Sequence, residues 1–553
     1  MRREHRRTHS PWSAIECGHD IQDRGSRRFS RAGQAEGEMT GRCAPATADR
    51  PGDDGASCPS REAPSARRHA PFTRVPPDVR DGGEGWRRHR NRAPGGLMPS
   101  RAADQRRVHR SVVFGVPLAL LTAVVVTGTA VGAPTGSTDD GRSKVRGARV
   151  TATATLGDIP LGPFSNRLLP GTVRDDRGVD LGGIGSDIFP AGRKGEFWTV
   201  TDRGPNGQIK VDGKKRRTFP VPGFNPAIVK VRVSGRSVKV IDALPITTRS
   251  GKPVTGLPNQ ESRDEAPYTY NAQKPLSYDP NGLDTEGMVR AEDGSFWLVD
   301  EYGPSLVHVS ARGKVIKRYV PKGLKLRGAG YPVSESLPAV LLHRKINRGF
   351  EGLALLPNGE LVLAVQSPLS LPDGEAGDGS RTARLLRFSP RKQAVTAEYA
   401  YRFDPVGVVD PGEDETSELK ISSVVAVGRD RLLVEERTDK AARLQVVRLD
   451  RRADILGGRW DDAATRPSLE QLEDPAASGV PVLRKRLVVD LGTVDGVPGK
   501  IEGVARVDNR TLALINDNDF GMTDGPEAFD KHGRLVDSGI ETSVTYVRLP
   551  RGL

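Results

Sequence analysis

Short apolar runs separated by turn residues recur along the chain from about residue 187 onward. The clearest example is residues 286–301, where one strand-like run leads into an Asp-Gly pair and a second apolar run follows. Residues 351–366 and 502–517 align with it without a gap, and residues 187–202 and 422–437 fit less closely. An Asp-Gly or Asn-Gly pair between two apolar runs indicates a β-hairpin. The pattern therefore predicts five related hairpin units, and its periodicity favours no long amphipathic helix.

The spacing of these units predicts how they are arranged. They begin at residues 187, 286, 351, 422 and 502, so the first step is 99 residues and the others are 65–80 residues. Such a step suits a four-stranded propeller blade, and the polar, proline-rich residues 251–280 account for the longer first step. Residues 145–181, together with a terminal strand at 543–549, are expected to form a sixth blade that leaves no free edge. The prediction is an all-β fold, a β-propeller over residues 150–553, with six blades as the first choice and the five detected repeats as the alternative count.

The first 133 residues differ in composition from the rest of the chain. Residues 1–97 are rich in Arg, Gly and Pro without apolar periodicity, which predicts a disordered leader or a mis-assigned N-terminal extension. Residues 98–133 have the order of a signal peptide, with a basic stretch, an apolar run and a small-residue tail, and 134–149 form a linker. We therefore expect a secreted protein. The alternative is an uncleaved segment that anchors the domain to a membrane, facing outside.

Charge and cysteine content exclude several classes of protein. The net charge is +14, but residues 1–133 alone hold 23 Arg against 14 acidic residues, so the excess lies mostly in the leader. This placement gives no support for nucleic-acid binding. All three cysteines precede residue 59, so the domain contains neither a disulfide nor a thiolate metal site. The mean hydropathy of −0.48 excludes a polytopic membrane protein. We expect a monomer that acts on a small molecule.

Polar residues recur at both ends of each hairpin unit. If the hairpin turns near its eighth position, the first residue lies opposite the sixteenth, and both reach the rim of a central channel. The first positions are Asp187, Glu286, Glu351, Ser422 and Glu502, and the sixteenth are Asp202, Glu301, Gln366, Arg437 and Asp517. Carboxylates gathered at one rim raise one another's pKa unless a cation neutralises them. An all-oxygen site predicts Ca²⁺ as the first choice and Mg²⁺ as the second.

A structural interpretation of the same residues stays open. Acidic side chains at strand ends often cap backbone amides or remain solvated, and the glycine after each Glu can serve to let the inner strands approach one another. The recurrence of the set on one face favours a binding ring, because repeat proteins concentrate binding on one face.

Several ordered motifs resemble a known family, the secreted phytase-like propellers described as having the esterase-like activity of phytase. The resemblance covers about residues 150–550. The motifs are Gly185-Ser-Asp187, Thr201-Asp-Arg-Gly-Pro-Asn206, Gly282-Leu-Asp-Thr-Glu-Gly287, Asp300-Glu-Tyr-Gly-Pro304, Phe350-Glu-Gly352, Lys420-Ile-Ser422, Lys500-Ile-Glu-Gly503 and Asn516-Asp-Asn-Asp-Phe-Gly521. The resemblance implies a β-propeller that hydrolyses a phosphoester or another ester.

The expected function is metal-assisted hydrolysis of an anionic ester, with a phosphoester as the first choice of substrate. Arg203 and Arg437 are expected to hold the substrate's negative oxygens. Glu286 and Glu502 are expected at the reacting centre, where one rim carboxylate serves as base toward water. The expected metal ligands are Asp187, Asp202, Glu301, Glu351 and Asp517.

Two other functions are compatible with the sequence. One is a non-catalytic extracellular propeller that binds a glycan, peptide or protein through the same rim. The other is a lactonase-like six-bladed enzyme with one metal in its channel. The chain has no G-x-S-x-G or H-E-x-x-H motif, so neither an α/β-hydrolase nor a zinc-helix protease is expected.

Overall fold

Strands account for nearly all regular structure in residues 147–553, the part of the chain that the computed structural model describes. The expected leader, the signal segment and nearly all of the linker lie outside these residues. None of the helices between residues 147 and 553 has the length and apolar character needed to cross a membrane.

The first sheet is followed in the chain by a long polar insert. The elements are β1 (Arg149–Leu156), α1 (Leu161–Leu168), β2 (Asp187–Pro190), β3 (Glu196–Val200), β4 (Gly207–Val211), β5 (Lys214–Thr218), β6 (Ala227–Ser234), β7 (Ser237–Pro245) and β8 (Pro267–Tyr268). Strands β2-β3-β6-β7 form an antiparallel sheet, which we call unit 1. The separate sheet β4-β5-β8 includes part of residues 251–280, so the expected insert is present.

Two further sheets follow in the middle of the chain. Unit 2 contains β9 (Thr285–Arg290), β10 (Phe296–Asp300), β11 (Ser305–Val309), β12 (Val315–Pro321) and the parallel edge strand β13 (Val333–Leu337). Unit 3 contains β14 (Phe350–Leu355), β15 (Leu361–Val365), β16 (Thr382–Ser389) and β17 (Ala394–Arg402), with the short helix α2 (Gly374–Gly379) between β15 and β16.

The last two sheets complete the domain. After α3 (Val406–Val409), unit 4 contains β18 (Lys420–Gly428), β19 (Arg431–Arg437), β20 (Ala442–Arg448) and β21 (Lys485–Asp490). Unit 5 contains β22 (Ile501–Arg506), β23 (Thr511–Asn516), β24 (Ser543–Arg548) and β1. Short 3₁₀ turns lie at Ala339–His343, Thr416–Glu418, Arg451–Ala453, Arg459–Asp461, Leu491–Thr493, Asp519–Gly521 and Pro526–Ala528.

The five inner strands form a closed cycle. Strand β2 contacts β9, β9 contacts β14, β14 contacts β18, β18 contacts β22, and β22 contacts β2 again. Each pair of neighbouring units packs around its own apolar cluster, such as that of Trp297, Phe350 and Leu363 between units 2 and 3. Because neighbouring units cover both faces of a strand, the sequence of such a strand is a continuous apolar run, as in β15 with Leu-Val-Leu-Ala-Val. The fold is a β-propeller whose inner strands surround a common channel.

The expected sixth blade is wrong for the described residues. Strand β1 pairs with β24 from Arg149 opposite Arg548 to Thr155 opposite Ser543, so the two ends of the domain do share a sheet. That sheet, however, is unit 5, which already contains β22 and β23. The repeat starting at residue 502 supplies only three strands, and β1 provides the fourth. Residues 147–553 therefore form five units.

Candidate functional site

A cavity of about 480 Å³ opens at one end of the channel and receives side chains from all five units. Eight of the nine residues expected from the sequence line it: Asp202, Arg203, Glu286, Glu301, Glu351, Arg437, Glu502 and Asp517. All eight are buried. The structure thus brings these eight residues together at one mouth, and the roles expected for them remain predictions.

A β-bulge aims the first residue of each of three units at the cavity. In unit 2, Thr285 pairs with Asp300 and Gly287 pairs with Val299, so Glu286 is the extra residue of the inner strand. Glu351 and Glu502 occupy the same place in units 3 and 5. Bulges redirect side chains and are frequent beside active sites. The first residue therefore has no direct partner, whereas the expected pairing set it opposite the sixteenth residue, but both residues still reach the same mouth.

The glycine after each of these glutamates permits the crowding of the inner strands. A Cβ atom at Gly287 would lie 2.4 Å from the Glu351 carbonyl oxygen, and one at Gly503 would lie 2.8 Å from the Ile188 nitrogen. Backbone atoms cannot move aside as a flexible side chain can. The Glu-Gly step thus places a carboxylate in the cavity and lets the neighbouring strand approach.

Two overlapping groups of carboxylates share Glu286. Oxygens of Glu286, Glu351 and Glu502 lie within 4.8 Å of one another, and the same holds for Asp284, Glu286 and Glu301. Burial raises the pKa of Glu286 well above its usual value, and the charges of Asp284 and Glu351 raise it further. Like charges held this close are stabilised by a shared cation. The five oxygen donors match the preference of Ca²⁺ or Mg²⁺.

Unpartnered polar atoms give a second indication of a ligand. Glu301 Oε1, Asp517 Oδ1 and Gln366 Oε1 are buried without a hydrogen-bond donor among the described residues. All three side chains line the cavity. Buried polar atoms normally have a partner, because desolvating them otherwise costs free energy. Acceptor oxygens without donors are the atoms that a cation binds.

Arg437 of unit 4 lines the cavity and contacts carboxylates of units 3 and 5. Its Nε donates to Ser422 Oγ at 2.6 Å, and its Nη2 donates to Glu502 Oε1 at 2.5 Å and lies 3.6 Å from Glu351 Oε1. Its Nη1 donates to Asp439 Oδ1 at 2.9 Å. The guanidinium therefore balances part of the charge of one carboxylate group and has a fixed orientation.

Arg203 has a comparable place near the second carboxylate group. Its Nη2 lies 3.1 Å from Asp284 Oδ2 and 3.7 Å from Glu301 Oε2, and it donates to Asn347 Oδ1. Its Nη1 lies 3.7 Å from Glu265 Oε2, and both Nε and Nη1 are buried without a hydrogen-bond acceptor in residues 147–553. These two nitrogens can donate to an anionic ligand.

Asp202, next to Arg203 in the chain, lines the cavity and is hydrogen-bonded to the backbone. Its Oδ1 accepts the N–H of Gly204 at 2.8 Å. Burial raises its pKa, and the charges of Asp517 and Asp284 add to that effect. Asp517 itself accepts from Lys500 Nζ at 2.7 Å, while burial raises its pKa to about 7.

The expected place of Asp187 at this mouth is wrong. Val200 of unit 1 and Val299 of unit 2 are equivalent positions of the repeat. Val200 pairs with Asp187, whereas Val299 pairs with Gly287, the residue after Glu286. The register of unit 1 is therefore shifted by one residue relative to unit 2. A one-residue shift turns a strand's side chains to the other face. Asp187 instead accepts the N–H groups of Ile188 and Met288, each at 2.8 Å, and joins units 1 and 2.

Sequence reasoning missed several residues of the cavity. Lys420 and Lys500 line it, and Asp284 belongs to one carboxylate group. All three lie two positions before the first residue of a unit, so extending the repeat upstream would have found them. Arg348 and Asn347, which precede unit 3, carry no such signal.

Comparison with known proteins identifies a family. The family model described as "Phytase-like: Esterase-like activity of phytase" matches residues 179–520, which is more than half of the chain. An "Uncharacterized secreted protein" of Arthroderma benhamiae is 25% identical over 296 residues, covering 46% of this chain and 58% of the relative. This chain therefore matches little more than half the length of that relative.

Comparison with solved structures also gives matches over about two thirds of this chain. A luciferin-regenerating enzyme is 11% identical, with 66% of this chain and 78% of that chain covered at a TM-score of 0.27. The PQQ-bound aldose sugar dehydrogenase of Streptomyces coelicolor is 11% identical, with 68% and 97% covered and a TM-score of 0.27. A GH43 β-1,3-galactosidase is 10% identical, with 68% and 93% covered and a TM-score of 0.29. Scores this low carry no information about chemistry.

Proposed function

Because the chain belongs to the phytase-like family, we propose that its channel cavity hydrolyses a phosphoester with the help of a bound divalent cation, Ca²⁺ first and Mg²⁺ second. The observation that supports this most directly is the pair of buried carboxylate groups that share Glu286. Arginines and lysines beside these groups match the negative charge of the substrate. A secreted relative is consistent with action outside the cell.

The carboxylates divide into two roles. Glu286, Glu351 and Glu502 would hold the cation, with Glu301 contributing its unpartnered oxygen. When bound, the cation polarises a phosphoryl oxygen and lowers the pKa of a nearby water. Asp517 would accept a proton from the attacking water, because its Oδ1 has no donor and its pKa is raised to about 7 by burial. A base with a pKa near the working pH is the most effective.

The two arginines orient the substrate. Arg203 would donate to phosphoryl oxygens through Nε and Nη1, neither of which has a hydrogen-bond acceptor among residues 147–553. Arg437 is fixed by Ser422, Glu502 and Asp439, so its positive charge stays in place as negative charge develops in the transition state. Preorganised donors of this kind need no rearrangement during the reaction.

The proposal is tested by assaying purified residues 134–553 with p-nitrophenyl phosphate, and with carboxylic-ester and lactone substrates for comparison. Hydrolysis of the phosphoester should require Ca²⁺, stop in EDTA and return when Ca²⁺ is restored. Hydrolysis of the lactone alone would favour the lactonase-like alternative. Cation binding without turnover of any ester would favour a binding protein.

Two variants examine the carboxylates directly. Glu286→Gln and Glu502→Gln should each weaken Ca²⁺ binding and lower kcat/KM by about tenfold or more, because each removes a charged ligand. Glu292→Gln is the matched control, since Glu292 is exposed at the turn of the same hairpin as Glu286. Full activity of both cavity variants in the presence of EDTA would contradict the metal mechanism.

A further inference from the structure

A second pocket, of about 580 Å³, lies at the outer part of unit 3 and shares no lining residue with the channel cavity. We call it the unit 3 pocket. Its walls are α2, the adjoining ends of β16 and β17, and residues 470–473 from the long loop between β20 and β21 of unit 4. The volume is in the range of small-molecule sites, and most of the lining side chains are acidic or basic.

Two arginines of the unit 3 pocket have no carboxylate partner. Arg402 is the last residue of β17, and Arg381 immediately precedes β16. Arg381 Nη1 donates to the Phe403 carbonyl at 3.5 Å, and neither arginine forms an ion pair within residues 147–553. Burial lowers the pKa of Arg381, and the charge of Arg402 lowers it further, while three carboxylates beyond ion-pair distance act in the opposite direction. An anionic group between the two guanidinium groups would relieve their repulsion.

Glu470 brings an unpartnered acceptor to the same pocket. Its Oε1 accepts from Arg384 Nε at 3.1 Å and from Arg384 Nη2 at 2.9 Å. Its Oε2 is buried and has no donor in the described part of the chain. Arg384 also pairs with Glu398 at 2.6 Å, so one guanidinium balances two buried carboxylates. A buried acceptor in this situation favours a ligand that brings a positive charge and a hydrogen-bond donor.

The exposed carboxylates of the pocket are also unpaired. Glu375 and Glu473 line it, and neither takes part in an ion pair between residues 147 and 553. Asp373, the remaining acidic residue, caps α2 by accepting the Ala376 N–H at 3.0 Å. The opposite charges of the pocket thus border one space without reaching one another. A purely anionic or purely cationic ligand would meet like charges there, whereas a zwitterion would satisfy both kinds.

We propose that the unit 3 pocket binds a small zwitterion of the amino-acid class, with its carboxylate against Arg381 and Arg402 and its ammonium group against Glu470 and Glu473. A guanidinium offers paired donors that match a carboxylate, and an ammonium group donates to carboxylate oxygens. Leu472 lines the same pocket and suits an apolar side chain. This site goes beyond the proposed function and does not depend on ester hydrolysis.

The test uses L-leucine and two analogues, each of which lacks one charge. L-Leucinamide keeps the ammonium group without the carboxylate, and N-acetyl-L-leucine keeps the carboxylate without the ammonium group. Ligand-observed NMR titration of purified residues 134–553 gives the three Kd values. L-Leucine should bind, and each analogue should bind about tenfold more weakly, because each loses charge-assisted hydrogen bonds.

Variants assign each charge to its partner. Arg402→Gln should raise the Kd for L-leucine about tenfold and leave that for L-leucinamide unchanged, because L-leucinamide has no carboxylate to lose a contact. Glu473→Gln should weaken L-leucine and leave N-acetyl-L-leucine unchanged. Glu473 is chosen over Glu470 because Glu470 also holds Arg384. A general disturbance of the pocket would weaken every probe alike.

Arg391→Gln is the matched control, because Arg391 is exposed in the turn between β16 and β17 of the same unit, outside the pocket. It should bind all three probes as the unmodified protein does. If Arg402→Gln fails to fold, Arg381→Gln makes the same test of the carboxylate contact.

The outcomes are independent of the proposed function. Absence of L-leucine binding at millimolar concentration, or equal Kd values for L-leucine and both analogues, would overturn the site. So would an unchanged Kd for L-leucine in both the folded arginine variant and Glu473→Gln. Charge-dependent L-leucine binding by a protein that hydrolyses no ester would support the site and overturn the proposed function.

Discussion

Buried charges in this protein fall into two kinds, those with partners and those without. Arg318 Nη2 donates to Asp300 Oδ2 at 2.6 Å, and both side chains are fully buried beside further acceptors from Asn259 and Ser305. Glu435 on β19 is equally buried, yet its carboxylate forms no ion pair within residues 147–553. Only in the first arrangement do the ion pair and its hydrogen bonds offset the free-energy cost of removing the charges from water.

Glu435 should make stability depend on pH. Burial raises its pKa from 4.5 to about 8, so the folded protein favours the protonated carboxyl. The stabilising contribution is complete below pH 4.5 and is lost as the pH rises through about 8. In urea unfolding with EDTA present, Glu435→Gln should show a shallower decline over this window, by at most about 1.4 kcal/mol per pH unit. Parallel curves for the two proteins would contradict the prediction.

At the scale of elements, the inner strands combine a bulge with a glycine. The bulge turns Glu502 toward the cavity, and Gly503 allows β22 to approach β2. A Cβ atom at Gly503 would lie 2.6 Å from Ile515 Cγ2 and 2.9 Å from the Asp187 carbonyl carbon. The same few residues thus determine both the chemistry and the packing.

Gly503→Ala should destabilise the protein by about 2–3 kcal/mol, because overpacking against backbone atoms forces the two strands apart. Activity should fall with it, since Glu502 moves with the strand. Gly407→Ala is the matched control, as Gly407 lies in α3 with no heavy atom within 4 Å of an added Cβ. Urea denaturation measures the stability of both variants. Equal midpoints for Gly503→Ala and Gly407→Ala would contradict the role of Gly503 in strand packing.

At the scale of the whole molecule, closure of the ring depends on β1. This strand pairs with β24 along its length and touches β7 through Thr155 and Leu156, so it lies between units 5 and 1. The cavity draws residues from every unit and therefore needs the ring to be closed.

A charge buried in β1 should weaken this closure. Ala154 is 1% exposed and packs in the cluster between units 5 and 1, so Ala154→Asp should cost about 3 kcal/mol of unfolding free energy. Ala152→Asp introduces the same charge in the same strand at an exposed position and should change stability by about 0.5 kcal/mol or less. Similar denaturation midpoints would show that β1 does not support the ring.

The sequence by itself determined the hairpin units, the all-β propeller class and eight cavity residues, because alternating apolar runs and turn residues act over a few positions. Only the tertiary structure decided the rest. The number of units depended on β1 pairing with β24 almost 400 residues away, as Arg149 does with Arg548. The position of Asp187 depended on a one-residue change of register within the β2–β3 hairpin, and the place of Arg348 in the cavity depended on the loop before unit 3. Contacts between distant strands, exact strand register and loop paths are decided when the units pack together, and the pattern of apolar and turn residues does not encode them.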